Sequence, residues 1–299
     1  MINPPPGGPA WTRHVPTVHI TECPRDAMQG IKSFIPTADK VRYINAILRV
    51  GFDTVDFGSF VSPKAIPQLR DTAEVLGQLH LSDTSSKLLA IVGNRRGAEA
   101  AVQHEAITYL GFPFSISPTF LRRNINSTVE QSFALVQEML ALCQPSGKQL
   151  LVYVSMAFGN PYGDPWSVEE LLHWIDQLHH AGVRHVTLAD TTGLGTAPTI
   201  GSALEITIPA YAEVTFGLHL HTTAPDGPAK IDAAYQQGCR HYDGVMSGLG
   251  GCPMAGPELV GNIQTRDLLA YFDEQGATTG LDQAAFRQAE QVAHEIIPQ

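Results

Sequence analysis

The sequence has few charged residues and no long apolar run. Only 16% of its 299 residues are Asp, Glu, Lys or Arg. The absence of any apolar stretch of about 18 residues argues against a membrane-spanning helix. Acidic residues outnumber basic ones by 29 to 19, and the net charge of −10 argues against nucleic acid as the main partner. Such a chain needs a local basic cluster to bind a phosphate-bearing substrate.

Cysteine is also sparse, and the chain start lacks an apolar core. The four cysteines, Cys23, Cys143, Cys239 and Cys252, are too scattered for a zinc ribbon or a disulfide framework, which favours reduced thiols in the cytoplasm. The first 12 residues are rich in Pro and Gly and do not resemble a signal peptide. We therefore expect residues 1–14 to form a flexible arm and residues 15–299 to form one catalytic domain.

Short β-branched apolar runs alternate with longer helical stretches, the pattern of a parallel sheet with crossover helices. Hydrophobic residues make up 43% of the chain, enough for a large core. The predicted strands are residues 18–21, 54–57, 87–92, 106–111, 149–155, 185–189, 214–221 and 241–245. An open doubly wound sheet usually begins with a glycine-rich phosphate loop, and none is present here. We predict an α/β fold, a (β/α)₈ TIM barrel with extra C-terminal helices.

Several residues predict where helices begin and end. Thr37 is expected to cap a helix that runs to Val50 and stops at Gly51. Residues 127–130 and 167–170 both match the capping-box pattern, and Gly182 follows the second of these helices. Two further helices, at residues 265–274 and 281–296, are predicted after the last strand.

Two histidines at the end of the seventh strand are the first candidate for chemistry. His219 and His221 are separated by one residue, so both side chains point to the same side of a strand. At the carboxyl end of a barrel strand they could form half of a metal site. Two hydrogen-bonded interior histidines are the structural alternative.

Charged residues follow other strands at the same end of the barrel. Arg25 and Asp26 come directly after the first strand, where Asp26 could bind a metal and Arg25 could polarise a carbonyl oxygen. A surface ion pair is the alternative for this dipeptide. Asp56 ends the second strand, and Asp190 with Thr191 ends the sixth.

A glycine-rich segment follows the last strand. Residues 247–253 form a loop that could close over a site, with Cys252 as a candidate acid, base or nucleophile. An incidental exposed thiol is the alternative. Asn262, ten positions on, offers an amide oxygen to a hard metal ion.

Together these segments resemble the 3-hydroxy-3-methylglutaryl-CoA lyase family. The resemblance rests on residues 21–29, 59–64 and 124–126, the Asp190-Thr191 turn, the His219-x-His221 pair and residues 248–253. They occur in that family's order and at nearly its spacing, over roughly residues 17–275. The family belongs to a superfamily of metal-dependent barrels that includes isopropylmalate and homocitrate synthases.

The resemblance implies Mg²⁺ or Mn²⁺ as cofactor and cleavage of 3-hydroxy-3-methylglutaryl-CoA to acetyl-CoA and acetoacetate, as in leucine catabolism and ketone body formation. The implied metal ligands are Asp26, His219, His221 and Asn262. The implied catalytic residues are Arg25, Asp26, Asp56, Asp190, His219 and Cys252. The implied contacts to the acyl-CoA substrate are Gln29, Ser59, Ser62, Lys64, Thr191, Arg122 and Arg123. Neither a nucleic acid nor a membrane partner is implied, and a homodimer is left open.

The sequence also departs from the family's pattern. Thr222 follows the second histidine where the family commonly has Asp, Asp56 stands where it has Glu, and the Cys252-to-Asn262 segment is one residue longer. These differences leave open a related 3-hydroxy-3-alkylglutaryl-CoA as substrate. Two further functions fit the same fold: a condensing enzyme that joins acetyl-CoA to a 2-oxo acid, and an inactive barrel that binds acyl-CoA.

Overall fold

A computed structural model describes residues 15–223, 225–251 and 260–297. Within these residues eight parallel strands close into a barrel in chain order, which confirms the predicted (β/α)₈ architecture. The strands are β1 (His19–Glu22), β2 (Thr54–Ser59), β3 (Lys87–Ile91), β4 (Ile107–Ser115), β5 (Gln149–Ser155), β6 (His185–Asp190), β7 (Thr215–Leu220) and β8 (His241–Gly244). The expected arm at residues 1–14 and the thiol of Cys252 lie outside the described residues.

Helices cover the outside of the barrel. They are α1 (Pro24–Gln29), α2 (Thr37–Leu48), α3 (Thr72–Leu76), α4 (Arg95–Ala101), α5 (Pro118–Ile125), α6 (Val129–Ser146), α7 (Val168–Ala181), α8 (Ala197–Ala210), α9 (Gly227–Gln236), α10 (Thr265–Glu274) and α11 (Gln283–Ile296). The last two are the extra C-terminal helices that the sequence predicts. None of the helices in the described segments is both long and apolar enough to cross a membrane.

The two faces of each strand carry different residues, which decides what reaches the barrel interior. In β7, Phe216, Leu218 and Leu220 belong to the large hydrophobic core between strands and helices. Because side chains alternate across a strand, His219 points into the barrel. The same alternation turns Asp56 of β2 inward.

Some predicted helix starts are wrong by one residue. Thr37 is the first residue of α2, not its cap, and its hydroxyl donates to Asp71 Oδ2 at 2.8 Å. The capping box of α6 is formed by Thr128 and Gln131, not by the pair at positions 127 and 130. In α2 the cap position is Pro36, which offers no side-chain acceptor; in α6 the neighbouring Ser127 and Thr128 have similar preferences, and only the backbone geometry selects the cap.

The other predicted ends agree with the structure to different degrees. Ser167 caps α7 by accepting from the backbone N–H of Glu170, whose own carboxylate accepts from Trp174 Nε1. Gly182 ends this helix in the left-handed conformation, as predicted. The fourth strand runs to Ser115, four residues beyond the predicted end at Gly111, and the seventh ends at Leu220.

Candidate active site

The histidine pair lies at the carboxyl end of β7, and both rings are buried. The ring centroids of His219 and His221 are 5.0 Å apart, at an interplanar angle of 69°. The backbone of His221 forms an isolated antiparallel bridge with Asn262. This bridge joins the end of β7 to the segment that follows the glycine loop, so residues far apart in sequence meet beside the two imidazoles.

Asp26 completes a cluster with the two histidines. The turn from β1 into α1 places Pro24 at the first helical position, which suits its fixed φ, and Asp26 two residues later. One ligand atom each from Asp26, His219 and His221 lie within 4.8 Å of one another. Burial alone would raise the pKa of Asp26, but Arg25 and both histidines lower it to about 2. The carboxylate is therefore ionised at neutral pH.

Arg25 links two carboxylates in the barrel mouth. Its Nε and Nη2 donate to Asp56 Oδ2 at 2.9 and 2.5 Å, and its Nη1 donates to Asp26 Oδ1 at 2.9 Å and Gln29 Oε1 at 3.0 Å. Burial raises the pKa of Asp56 to about 6 against the opposing effect of Arg25. The guanidinium is thus held in one orientation, and the other oxygen of Asp56, Oδ1, has no hydrogen-bond partner.

Asn262 reaches the same cluster from the far side. Its amide nitrogen donates to Asp26 Oδ2 at 2.5 Å and to the backbone oxygen of Leu249 at 3.0 Å. Both partners are acceptors, which assigns the nitrogen to this side of the amide. To bind a cation through its oxygen, the Asn262 amide has to rotate.

Asp243 of β8 is a site residue that the sequence analysis missed. Its Oδ2 lies 3.0 Å from His219 Nδ1. A carboxylate can only accept, so the contact places a proton on Nδ1 and leaves Nε2 with its lone pair. Burial lowers the pKa of His219, but the contact with Asp243 outweighs it and the net shift is upward. The alternation of side chains along a strand could have identified Asp243, because the apolar Tyr242 beside it is expected to face the outer core and Asp243 therefore to face the barrel interior.

The donor set of this cluster fits a divalent cation. Burial lowers the pKa of His221 to about 4, with the neighbouring His219 acting in the same direction, so the ring is neutral at pH 7. Its Nδ1 is buried and has no hydrogen-bond partner. A neutral imidazole with a free nitrogen beside an ionised carboxylate is a suitable arrangement for a metal ion with mixed oxygen and nitrogen ligands.

Asp190 lies near the cluster, but its carboxylate faces away from it. Residues Val186 and Leu188 of β6 pack in the outer core, and Asp190 shares their side of the strand. Its Oδ1 accepts from Gly195 N at 2.9 Å and its Oδ2 accepts from Lys230 Nζ at 2.9 Å. The side chain therefore holds the loop after β6 and does not join Arg25 and Asp26.

Thr191 and Ser59 also hold backbone at the barrel mouth. Thr191 accepts from the N–H of Met156, a non-glycine residue with a positive φ of 59°. Ser59 donates to the backbone oxygen of Ile91 and accepts from the N–H of Val61. Both side chains are buried in these contacts.

The residues predicted to contact the coenzyme A phosphates lie on the surface, outside the buried cluster. Ser62 and Lys64 are exposed in the loop after β2, and Arg122 and Arg123 are exposed in the last turn of α5. Arg123 stacks over the ring of Tyr162, 4.7 Å from its centroid. The structure thus gathers Arg25, Asp26, Gln29, Asp56 and the metal ligands, but not the exposed cations, around one point.

Comparison with known proteins gives a consistent result. Residues 18–293 match the family model described as HMGL-like. A cytoplasmic 3-hydroxy-3-methylglutaryl-CoA lyase of Rattus norvegicus is 31% identical over 87% of this chain and 75% of its own length. The hydroxymethylglutaryl-CoA lyase of Pseudomonas mevalonii is 31% identical over 89% of this chain and 87% of its own. The (R)-citramalyl-CoA lyase of Chloroflexus aurantiacus is 29% identical over 89% and 86%.

Solved structures give the same grouping. An HMG-CoA lyase from Acinetobacter baumannii, in complex with coenzyme A and 3-methylmalate, is 32% identical, with a TM-score of 0.86 over 94% of this chain and 91% of that one. The HMG-CoA lyase of Bacillus subtilis superimposes with a TM-score of 0.88 at 28% identity, over 95% and 97%.

Proposed function

The chain belongs to the HMGL-like family, and from this premise we propose that it is a divalent-metal-dependent lyase that cleaves 3-hydroxy-3-methylglutaryl-CoA to acetyl-CoA and acetoacetate. The observation that carries the proposal is the hydrogen bond from Arg25 to Asp26, which places the guanidinium beside the Asp26–His219–His221 cluster. A cation site and a fixed guanidinium side by side are what a carbon–carbon cleavage that produces an enolate requires.

Four residues are proposed to hold the metal ion. Asp26, His219, His221 and Asn262 supply oxygen and nitrogen donors that suit Mg²⁺ or Mn²⁺. When bound, the ion supplies positive charge that lowers the pKa of the substrate's 3-hydroxyl group. The Asp243 contact with His219 Nδ1 supports this arrangement because it leaves Nε2 free to act as a ligand.

The protein's own residues divide the remaining work. Arg25 is placed to stabilise the negative oxygen of the acetyl-CoA enolate, and Asp56 and Gln29 hold its guanidinium in position. Asp26 is proposed to remove the proton of the 3-hydroxyl as the C2–C3 bond breaks, because His219 has a proton on Nδ1 and its Nε2 is assigned to the metal. Cys252 is proposed to protonate the enolate, and its loop to exclude water; this residue lies outside the described segments.

The acyl-CoA is proposed to enter at the barrel mouth. Gln29, Ser59 and Thr191 line the inner part, and the exposed cations Lys64, Arg122 and Arg123, with Ser62, are proposed to contact the coenzyme A phosphates. The carboxylate of Asp190 contributes through the loop that it holds to Gly195. Because the net charge of the chain is −10, phosphate binding depends on these few side chains.

A second substrate is favoured by a specific comparison. The relative from Chloroflexus aurantiacus is a (R)-citramalyl-CoA lyase, so the same family includes a lyase for another branched 3-hydroxyacyl-CoA. Thr222 is buried directly after His221, and it replaces the Asp that commonly stands there in the lyases that this chain resembles. We keep a related branched substrate as the alternative.

A coupled assay for acetyl-CoA tests the proposal. Release from 3-hydroxy-3-methylglutaryl-CoA should require added Mg²⁺ or Mn²⁺ and stop with EDTA. Citramalyl-CoA, run in parallel, identifies the alternative substrate. Cleavage that persists in EDTA would exclude the metal assignment, and free-thiol release from acetyl-CoA with a 2-oxo acid would indicate a condensing enzyme instead.

Location and assembly are proposed separately. We infer a cytoplasmic enzyme, because the described cysteines Cys23, Cys143 and Cys239 are free thiols. The single-domain organisation of residues 15–299 and the homodimer remain predictions, which limited proteolysis and analytical ultracentrifugation would check.

A further inference from the structure

A second group of ligand-type side chains lies beside the proposed metal centre. Cys23, His219 and Asp243 each present one ligand atom, and these atoms all lie within 4.8 Å of one another. All three residues are buried, Cys23 completely. In the part of the chain that the structure describes, this group and Asp26–His219–His221 are the two that could hold a metal ion.

The two groups share the imidazole of His219. His219 Nδ1 faces Asp243 Oδ2 at 3.0 Å. The other nitrogen, Nε2, is then the one available to Asp26 and His221. Asp243 thus lies on the Nδ1 side of the ring, which leaves Nε2 for the proposed Mg²⁺ or Mn²⁺ site.

The donors of the second group suit a different class of metal. A thiolate with an imidazole and one carboxylate is a soft or borderline set that selects Zn²⁺ or Co²⁺ over Mg²⁺. A tetrahedral zinc ion places its ligand atoms about 3 to 4 Å apart; here the His219–Asp243 pair lies at 3.0 Å, and all three ligand atoms lie within 4.8 Å of one another. The charges also match, since a thiolate and a carboxylate together neutralise a dication.

A further polar group near this cluster lacks a partner. The hydroxyl of Tyr153 is buried without a hydrogen bond. The charges that act on it include those of Asp243 and Cys23, and the Tyr153 ring contacts His219 edge-on with centroids 5.9 Å apart. The hydroxyl is therefore a candidate fourth donor, or an anchor for a water molecule in that position.

We propose that Cys23, His219 and Asp243 form a thiophilic metal site at which Zn²⁺ binds and inhibits the enzyme. The thiol proton of Cys23 passes to solvent and the proton of His219 moves from Nδ1 to Nε2, so that a thiolate, a neutral imidazole and a carboxylate hold the ion. Only the inhibition rests on the proposed lyase function; the binding of the ion does not.

Cobalt binding tests the site without reference to activity. Co²⁺ is titrated into the metal-free full-length protein in the presence of excess Mg²⁺, and the thiolate-to-cobalt charge-transfer absorption is recorded. We expect this absorption in the wild type and its loss in Cys23→Ser. Cys239→Ser is the matched control because Cys239 is also a buried free thiol, and Cys143→Ser and Cys252→Ser complete the set.

Two results would overturn the site: no charge-transfer absorption in the wild type, or an equal absorption in Cys23→Ser. Circular dichroism checks that Cys23→Ser folds. Should it not, Asp243→Asn provides the second test, since it retains the thiol and is expected to weaken Co²⁺ binding at least tenfold.

Inhibition is measured on the same variants. In excess Mg²⁺, the Zn²⁺ concentration that halves lyase activity should be at least tenfold higher for Cys23→Ser than for the wild type. Equal inhibition of both would place the inhibitory zinc at Asp26 and His221 and refute this part of the proposal. Cobalt absorption in a protein without lyase activity would support the site and reject the proposed function instead.

Discussion

At the scale of single residues, the most densely contacted side chain of the site is Arg25. It donates four hydrogen bonds, to Asp56, Asp26 and Gln29. Each of these contacts restricts the guanidinium, so no reorganisation is needed when negative charge develops on a nearby oxygen. The same contacts show why the residue lies inward rather than in a surface ion pair, the alternative that the dipeptide alone leaves open.

For Arg25→Gln we expect kcat to fall by about a thousandfold, as for the loss of one strong electrostatic stabiliser, with a much smaller change in KM. Steady-state kinetics on the acyl-CoA substrate measure both. Arg95→Gln is the control, because Arg95 is an exposed residue of α4 that pairs with Glu99. A variant Arg25→Gln with wild-type kcat would remove this residue from the mechanism.

Asp243 is expected to act through His219. With Asp243→Asn the amide can present its N–H₂ to Nδ1, which favours the tautomer with the proton on Nε2. We therefore expect Mn²⁺ affinity to fall about 10- to 100-fold, measured by electron paramagnetic resonance of free Mn²⁺. Asp176→Asn is the control: Asp176 contacts the exposed His180, and this variant should bind Mn²⁺ like the wild type. Unchanged Mn²⁺ affinity in Asp243→Asn would contradict the role of Asp243 in orienting His219.

At the scale of elements, α1 and α6 illustrate different local controls. α1 has only six residues and no side-chain cap hydrogen bond, so its position depends on β1 before it and on the contacts of Arg25. α6 is an 18-residue helix with a complete capping box at Thr128 and Gln131. The sequence pattern was right about the existence of this box and wrong about its register by one residue.

The two candidate caps of α6 can be separated by mutation. Thr128→Ala should lower the free energy of unfolding by about 1 kcal/mol, since it removes the acceptor for the N–H of Gln131. Ser127→Ala, the cap expected from the sequence, should change it by less than about 0.5 kcal/mol, because Ser127 is outside the helix. Urea unfolding compares them; equal losses would mean that the cap is shared.

At the scale of the whole molecule, the end of the barrel opposite the active site carries a polar cluster. The rings of His19 and His241 stack with centroids 4.5 Å apart, at an interplanar angle of 12°. Asp53 contacts His19 at 3.3 Å and Lys87 at 3.2 Å, and His185 also acts on His241. Four of these residues, His19, Lys87, His185 and His241, each begin a strand, and Asp53 directly precedes β2. The cluster therefore forms only when the barrel is closed.

This cluster predicts a loss of stability in acid. Burial lowers the pKa of His241 to about 4, with His19 as the next cause, from an ordinary value of 6.5. The unfolded chain therefore protonates His241 at a higher pH than the folded protein does. The contribution of this residue to the free energy of unfolding is complete above about pH 6.5 and is lost as the pH falls towards 4. The burial is incomplete, so we expect about 2 kcal/mol from this residue.

Urea unfolding between pH 4 and 7.5 checks the expectation. His241→Gln should unfold with a smaller dependence on pH than the wild type over the interval from 6.5 to 4. His180→Gln is the control, since His180 is exposed on α7. Identical pH profiles for wild type and His241→Gln would show that the histidine is not buried in its neutral form.

Local patterns were sufficient for much of this protein. The alternation of apolar runs is set by short-range periodicity, and it predicted all eight strands of the barrel in order. Residues at the carboxyl ends of strands must share one rim in a parallel barrel, which is why the sequence alone could group Arg25, Asp26, Asp56 and the histidine pair.

What the tertiary structure alone decided concerns orientation and closure. Asp190 satisfies the same end-of-strand rule as Asp56, yet it points outward to Lys230 because its position on β6 shares the parity of the outer core. Asp243 and Cys23 meet His219 only because β8 closes against β1 and β7, with Thr21 opposite Asp243 in one pairing and His219 opposite Asp243 in the other. The chemistry of a side chain follows from its residue type and can be read from the sequence. The face on which it lies and the residues that surround it depend on strand register, and strand register is determined by contacts between residues far apart in the chain.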